Sequence, residues 1–441
     1  MEQAPRRRTM PERIDSAIRF FLYVLIFWLP YSPAVVETCV IISFLLWLLK
    51  RAIFQRVFRR EQRLSFWQKI FAGLKRFQPL SSDLNKPIAL FIAICILSVA
   101  SSSFFEISAH NFLTKTLEWF IVYFLIIEVF QEKKHIHTAL SIWVFTAFST
   151  IIDSLVQYYL THRDLFLGHV IDSSGRATAG FKAPNGLGAY LSLFIPFVLS
   201  LAFLDTKAKR YRFAGILALG FGLWSLMLTS SRGAILGTAI GILCFLCIFF
   251  AGQAKPARFF TWLIAIVAVL LGAYAFLVLS GHIEIGSLIR KQTVQWRLNV
   301  WQDTLKMIKD RPVFGHGINT YMMVFEAYRR DFGSNPTYAH NCYLQLASEI
   351  GLAGLLGFLW ILGALFHQFL GVWFSSQGHN KNDLILSAGL LSGIISFLVH
   401  SFFDTNFYSL QLSVYFWVIA GMLGSLNGHL VGTQPQGRAS G

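Results

Sequence analysis

"LTSSRGAILGTAIGILCFLCIFF", residues 228–250, carries one charge, Arg232, followed by eighteen residues with none. A run of that length and apolarity spans the hydrocarbon of a bilayer as a helix. It is apolar on every side, so it lacks the alternation of a barrel strand. The run before it, 212–229, is also apolar, and only "TSSRG" separates the two. The pair reads as a helical hairpin with one arginine at its turn.

The same pattern recurs along the chain. Of the 441 residues, 55% are hydrophobic and 16% aromatic, with 43 Phe and a mean hydropathy of +0.56. Spans are expected at about 18–31, 34–49, 86–103, 112–130, 137–159, 187–204, 212–229, 233–251, 259–280, 345–370, 384–403 and 408–426. The fold class is therefore an all-α polytopic membrane protein with about 12 transmembrane helices. No small-residue cleavage site follows the first apolar run, so a cleaved signal peptide is not expected. Cys244 and Cys247 have the spacing of a redox pair but read as small apolar residues of a span. No internal repeat of the transporter kind stands out.

Lys and Arg set the expected orientation. With the N-terminus inside, 25 of the 38 basic residues fall on the inner side, so both termini are expected in the cytoplasm. The division is then 1–17 cytoplasmic, a single transmembrane domain over 18–426, and a cytoplasmic tail from 427 to 441. Two outer segments are long, 160–186 and 281–344. The second contains a helix-like stretch in which Trp296, Val300 and Met307 share a face. The net charge of +16 calls for no nucleic acid; the basic loop 50–86 suits anionic lipid.

This topology brings Arg176, Arg232, Arg297 and His340 to the outer side from four separate parts of the chain. Arg232 sits where an unpaired charge is costly, about 2.5–3.5 kcal/mol at a span's centre. It reads either as an interfacial positioning residue or as an anion site. Arg176 reads as a solvated loop charge or a second anion ligand, and Arg297 as a charge over headgroups or a third. His340 stands before the long apolar run at 345–370. It is either structural or, kept neutral by the positive helix end, a base for a hydroxyl. The outer acids, Asp404 among them, are scattered, and no metal motif occurs. Glu128 and Asp153 stand isolated, and Glu349 is out of place within an apolar run.

Four stretches in order, "GRATAGFKAPNGLGAYL" (175–191), "LTSSRGAILG" (228–237), "RLNVWQDTLKMIKDRPVFGHGINTY" (297–321) and "AHNCYLQLASEIGLAGLL" (339–356), resemble the O-antigen ligase and polymerase superfamily. The resemblance covers roughly residues 80–425. It implies a GT-C-like architecture with a periplasmic helical loop before the tenth span. It further implies a metal-independent, cofactor-free glycosyltransferase taking glycan from undecaprenyl diphosphate at the periplasmic face of the inner membrane. His340 would be catalytic and Arg176, Arg232 and Arg297 would hold the diphosphate, with Tyr338, Asn341 and His316 as secondary candidates. The short tail and moderate outer loop look most like a ligase acting on lipid A–core. A polymerase, a protein O-oligosaccharyltransferase and, in a different class, a polysaccharide-lipid transporter are the alternatives.

Overall fold

The computed structural model describes residues 9–57, 82–205, 209–251, 291–330, 336–375 and 380–432. The expected span at 259–280, most of the basic loop 50–86, parts of the segment 281–344 and most of the tail lie outside them. Helices follow one another as α1 (Met10–Trp28), α2 (Pro33–Val57), α3 (Asn85–Ser101), α4 (Phe105–Asn111), α5 (Leu117–Val129), α6 (Lys133–Val156), α7 (Pro184–Leu201), α8 (Lys209–Leu228), α9 (Arg232–Ala251), α10 (Lys291–Asp310), α11 (Tyr321–Phe325), α12 (Cys342–Glu349), α13 (Gly351–Phe374), α14 (Lys381–His400) and α15 (Leu410–Gly432). Single π-helical turns lead into α5 and out of α6. Among the described residues there is no sheet, only one isolated bridge between Arg163 and Val170.

Seven helices among the described residues are long and apolar enough to cross a membrane; Asn85–Ser101 and Arg212–Leu228 are apolar but shorter. The molecule is a multi-pass helical membrane protein. Its centre is formed by α7, α14 and α15, whose side chains are almost all buried. Apolar burial gains little between helices surrounded by lipid, so close backbone approach has to hold the bundle together. Small residues on α9 allow this. A Cβ on Gly237 would stand 2.4 Å from the Ser396 carbonyl, and one on Gly241 2.7 Å from that of Ser392. These two glycines, four residues apart, lay α9 against α14 directly below the Arg232 turn.

Two sequence expectations are corrected. The apolar run at 345–370 is not one helix. It breaks after Glu349, where Gly351 takes φ +77°, and a side chain there would collide with the Val313 carbonyl at 2.0 Å. His340 therefore precedes the eight-residue α12, not a long span. Glu128 is also not isolated. It accepts hydrogen bonds from Trp47 Nε1 (2.6 Å) and Arg51 Nη2 (2.8 Å) and pairs with Lys50 (3.2 Å), which also reaches Asp15. That cluster ties α1, α2 and α5 together and takes no part in the cavity described next.

Candidate active site

The turn between α8 and α9 is tight enough to force Ser230 to φ +51°. It is braced by Ser231 N–H on Thr229 Oγ1 (3.1 Å), and it sets Arg232 as the first residue of α9. The preceding loop is pinned beside it: Ala177 N–H donates to the Leu228 carbonyl (3.1 Å). Gln157, buried at the end of α6, accepts the N–H groups of Thr178 and Ala179 (both 2.9 Å). Arg176 is thereby held next to the Arg232 turn. Its guanidinium pairs with Asp172 (3.1 Å) and donates from Nε to Ser174 (2.6 Å).

Arg297 arrives from α10. The face carrying Trp296, Val300 and Met307 packs on Tyr321, Phe325 and Ala339, so α10 rests on protein there and not on the headgroups. Trp301 Nε1 donates to the Ala339 carbonyl (3.0 Å) and ties α10 to the segment before His340. Arg297 is consequently aimed inward. Among the described residues it makes no side-chain hydrogen bond, and its Nε is sealed from solvent without a partner. Burial lowers its pKa, Asp404 opposes that, and the like charge of Arg232 adds to it. Arginine stays charged regardless, so among the described residues a partly buried cation has no hydrogen-bonded anion.

Arg176, Arg232 and Arg297 line one cavity of about 420 Å³, together with Asn185, Ser231, Trp301 and His400. His340 is not on its wall but adjoins it through Asp404. That carboxylate accepts from Nδ1 of His340 (3.3 Å) and from the side-chain amide of Asn185. The His340 ring stands edge-on to Trp296, centroids 5.4 Å apart. Asp404 lies in the loop after α14. Burial pushes its carboxyl up, but the hydrogen bond and charge of His340 more than reverse this and hold it well below the usual carboxylate range.

His340 itself has φ +49°, a left-handed conformation uncommon for residues other than glycine. Its neighbours fix it there. Asn341 caps α12 by accepting from Tyr343 N–H and Leu344 N–H (both 3.0 Å). Gln345 Oε1 accepts Ala339 N–H (2.7 Å) while its Nε2 donates to Glu349 (2.9 Å). Glu349 further accepts from Asn319 N–H (2.8 Å), Tyr321 N–H (3.2 Å) and Tyr408 O–H (2.8 Å). The acid that looked out of place is the hub that anchors the segment ahead of His340.

The secondary candidates sit elsewhere. Asn341 is spent as the helix cap. His316 is buried against the Met307 carbonyl (Nε2 3.0 Å) and burial lowers its pKa; it staples a loop to α10. Tyr338 packs on Tyr408, ring centroids 5.5 Å apart. Among the described residues no three His, Cys, Asp or Glu side chains are grouped to hold a metal ion.

Residues 217–359, which include Arg232, Arg297 and His340, match the family model described as O-antigen ligase. Over that stretch the chain is similar to the O-antigen ligase superfamily. It is similar to a Rickettsia felis protein provisionally named a polysaccharide ligase, 25% identical over 435 residues, covering 92% of this chain and 96% of the relative. A Rickettsia conorii protein of similar name is 26% identical over 68% of this chain and 69% of its own. The teichuronic acid biosynthesis protein TuaE of Bacillus subtilis is 24% identical over 69% of this chain and 63% of its own. The family match and the names of these relatives support a membrane enzyme of the polysaccharide ligase and polymerase type. Arg176 and Asp404 lie outside the stretch matched by the superfamily model; Arg176 was a sequence candidate, whereas Asp404 enters the site only through the fold.

Proposed function

We propose that this protein is an inverting, metal-independent glycosyltransferase. It moves O-antigen polysaccharide from undecaprenyl diphosphate to lipid A–core at the periplasmic face of the inner membrane. In this reading about twelve spans take a GT-C-like arrangement. Residues 1–17 and 427–441 are cytoplasmic, and 281–344 is the large periplasmic loop.

The observation that carries the reading is the cavity shared by Arg176, Arg232 and Arg297, in which the Nε of Arg297 is buried and unpartnered. Guanidinium forks match phosphate oxygens in charge and geometry. A diphosphate in the cavity would meet a cation to which no described carboxylate is hydrogen-bonded.

The chemistry follows from that placement. The acceptor hydroxyl oxygen bonds to the anomeric carbon as the bond from that carbon to the diphosphate oxygen breaks. Direct displacement inverts the carbon. The negative charge that develops on the leaving diphosphate is held by the arginines. The hydroxyl proton passes to Nε2 of His340. Asp404, bonded to the Nδ1 side, fixes the tautomer that leaves Nε2 free and stabilises the imidazolium that forms.

The ligase and polymerase type of the matches also supports a second reading, polymerisation, in which the acceptor is another lipid-linked repeat unit. One reconstitution separates the two. Purified protein in nanodiscs receives lipid-linked glycan with and without lipid A–core. Ligation yields glycan attached to lipid A–core. Longer glycan on the carrier, formed without lipid A–core, would instead establish the polymerase. No glycan transfer to either acceptor would sink both readings.

A further inference from the structure

The loop after α6 has a second feature. Leu160 (74% exposed), Leu165, Phe166, Leu167 and Val170 all present large apolar side chains outward. They continue the exposed stripe Phe145, Phe148 and Ile152 of α6, the helix whose run Lys133–Thr161 is long and apolar enough to cross the membrane.

The backbone beneath these side chains is self-sufficient. Asp164, 4% exposed, accepts the N–H groups of Phe166 (3.0 Å), Leu167 (2.5 Å) and Gly168 (3.2 Å) through Oδ1, and that of His169 (2.5 Å) through Oδ2. Asp153 accepts Leu165 N–H (2.7 Å). Asp164 N–H and Ile171 N–H close the hairpin onto the carbonyls of His169 and His162 (both 2.9 Å). Gly168, at φ +71°, makes the turn. The Phe166 ring braces the tip against Tyr31, centroids 4.3 Å apart.

A turn facing water could leave those donors to the solvent. One that satisfies them internally and turns its apolar side chains outward is suited to a medium that offers few hydrogen bonds. Arg163, His162 and His169 flank the apolar tip, and Arg163 and His169 are largely exposed. Cationic and amphiphilic side chains beside an apolar tip match the phosphate level of a bilayer.

We propose that residues 160–170 form an interfacial anchor, an apolar hairpin seated at the headgroup–acyl boundary of the membrane face that bears the arginine cavity. Its occupant is the phospholipid surface itself, because the hairpin's apolar side chains extend the exposed apolar stripe of α6.

Depth measurements test this. Nitroxide labels are placed on cysteines introduced one at a time at Leu165, Leu167, Val170 and Ser173, in a chain carrying Cys244→Ser and Cys247→Ser and keeping the buried Cys39, Cys95 and Cys342. The protein is studied in nanodiscs of phosphatidylethanolamine and phosphatidylglycerol. At the three apolar positions, relaxation by oxygen relative to a water-soluble nickel chelate should be several-fold higher than at Ser173. Ratios equal to that of Ser173 would place the hairpin in water and overturn the proposal. Exclusion of both relaxers, in detergent as in nanodiscs, would place it against protein and overturn it equally. The unmodified protein provides a check free of substitutions. A phospholipid with a diazirine near its glycerol, once photolysed, should crosslink to the peptide spanning 160–170. Crosslinks on α6 and none on that peptide would contradict the anchor.

Discussion

Oδ1 of Asp404 lies 3.3 Å from Nδ1 of His340, across 64 positions of sequence. The contact exists because α12 starts against the end of α14: Cys342 N–H donates to the Ser401 carbonyl (2.9 Å) and Cys342 Sγ–H to the Asp404 carbonyl (3.2 Å). A carboxylate on one ring nitrogen leaves the other free to act as a base, and the protein assembles this pair at the edge of the arginine cavity.

Asp404→Asn tests the pair. The amide can present its N–H₂ to Nδ1 and so favour the wrong tautomer. Turnover should fall by about 10²–10⁴-fold, the usual worth of general-base assistance, with donor affinity kept. The linkage has a definite sign. A carboxyl held below its unfolded value near about 3.9 contributes stability above that pH and loses it as pH falls through the lower folded value. The melting temperatures of wild type and Asp404→Asn should therefore differ above about pH 4 and converge as pH falls below it. A gap that already closes near neutral pH would contradict the assignment.

Arg232→Lys and Arg297→Lys keep the charge and lose the fork. A charge-assisted hydrogen bond is worth about 1.5–3 kcal/mol, so each variant should bind lipid diphosphate about 10–100-fold more weakly. The measurement is donor affinity on protein that still inserts and purifies as wild type. Unchanged affinity in both would leave the arginines as interfacial anchors.

Gln345 transmits the Glu349 hub to His340. Replacing it with leucine leaves Ala339 N–H without its acceptor and frees the left-handed turn at His340. A misplacement near 1 Å can cost about 10²-fold, so turnover should drop by about 10–100-fold with donor affinity unchanged. A variant that only melts earlier, with normal turnover below its melting temperature, would show that the hub serves stability alone.

Cysteine at the exposed Ser173 should react with a membrane-impermeant maleimide in intact spheroplasts. Reaction only after lysis would reverse the proposed orientation and move the cavity to the cytoplasmic face.

Much of this was legible in the sequence, and the exceptions share a cause. Apolar run length gives most of the helices, because an α-helix satisfies its backbone in lipid without help from the rest of the chain. The face formed by Trp296, Val300 and Met307 was legible from its period, but its partner, the Tyr321–Phe325 segment, was not. Periodicity shows that a face is buried without showing what buries it. Arg232 stands out because charge beside a span is costly. Asp404 does not, because an acid in "SFFDTNF" looks like any loop acid until α12 meets the end of α14. Glu349 was visible as an anomaly. Its purpose became clear only with Gly351 breaking the helix and with Tyr408, Asn319 and Tyr321 converging on the carboxylate. Asn341 carried a signal that could have been used, an N-cap residue directly before a helical run.

The central claim is that His340 takes the acceptor's proton while the arginines hold the diphosphate. Single-turnover transfer of lipid-linked glycan, measured with donor affinity for wild type, His340→Ala and His340→Gln, tests it most directly. Transfer by both variants should fall by about 10²–10⁴-fold while each binds donor as wild type does. Transfer that survives while donor affinity falls would make His340 a diphosphate ligand and leave the base to another residue.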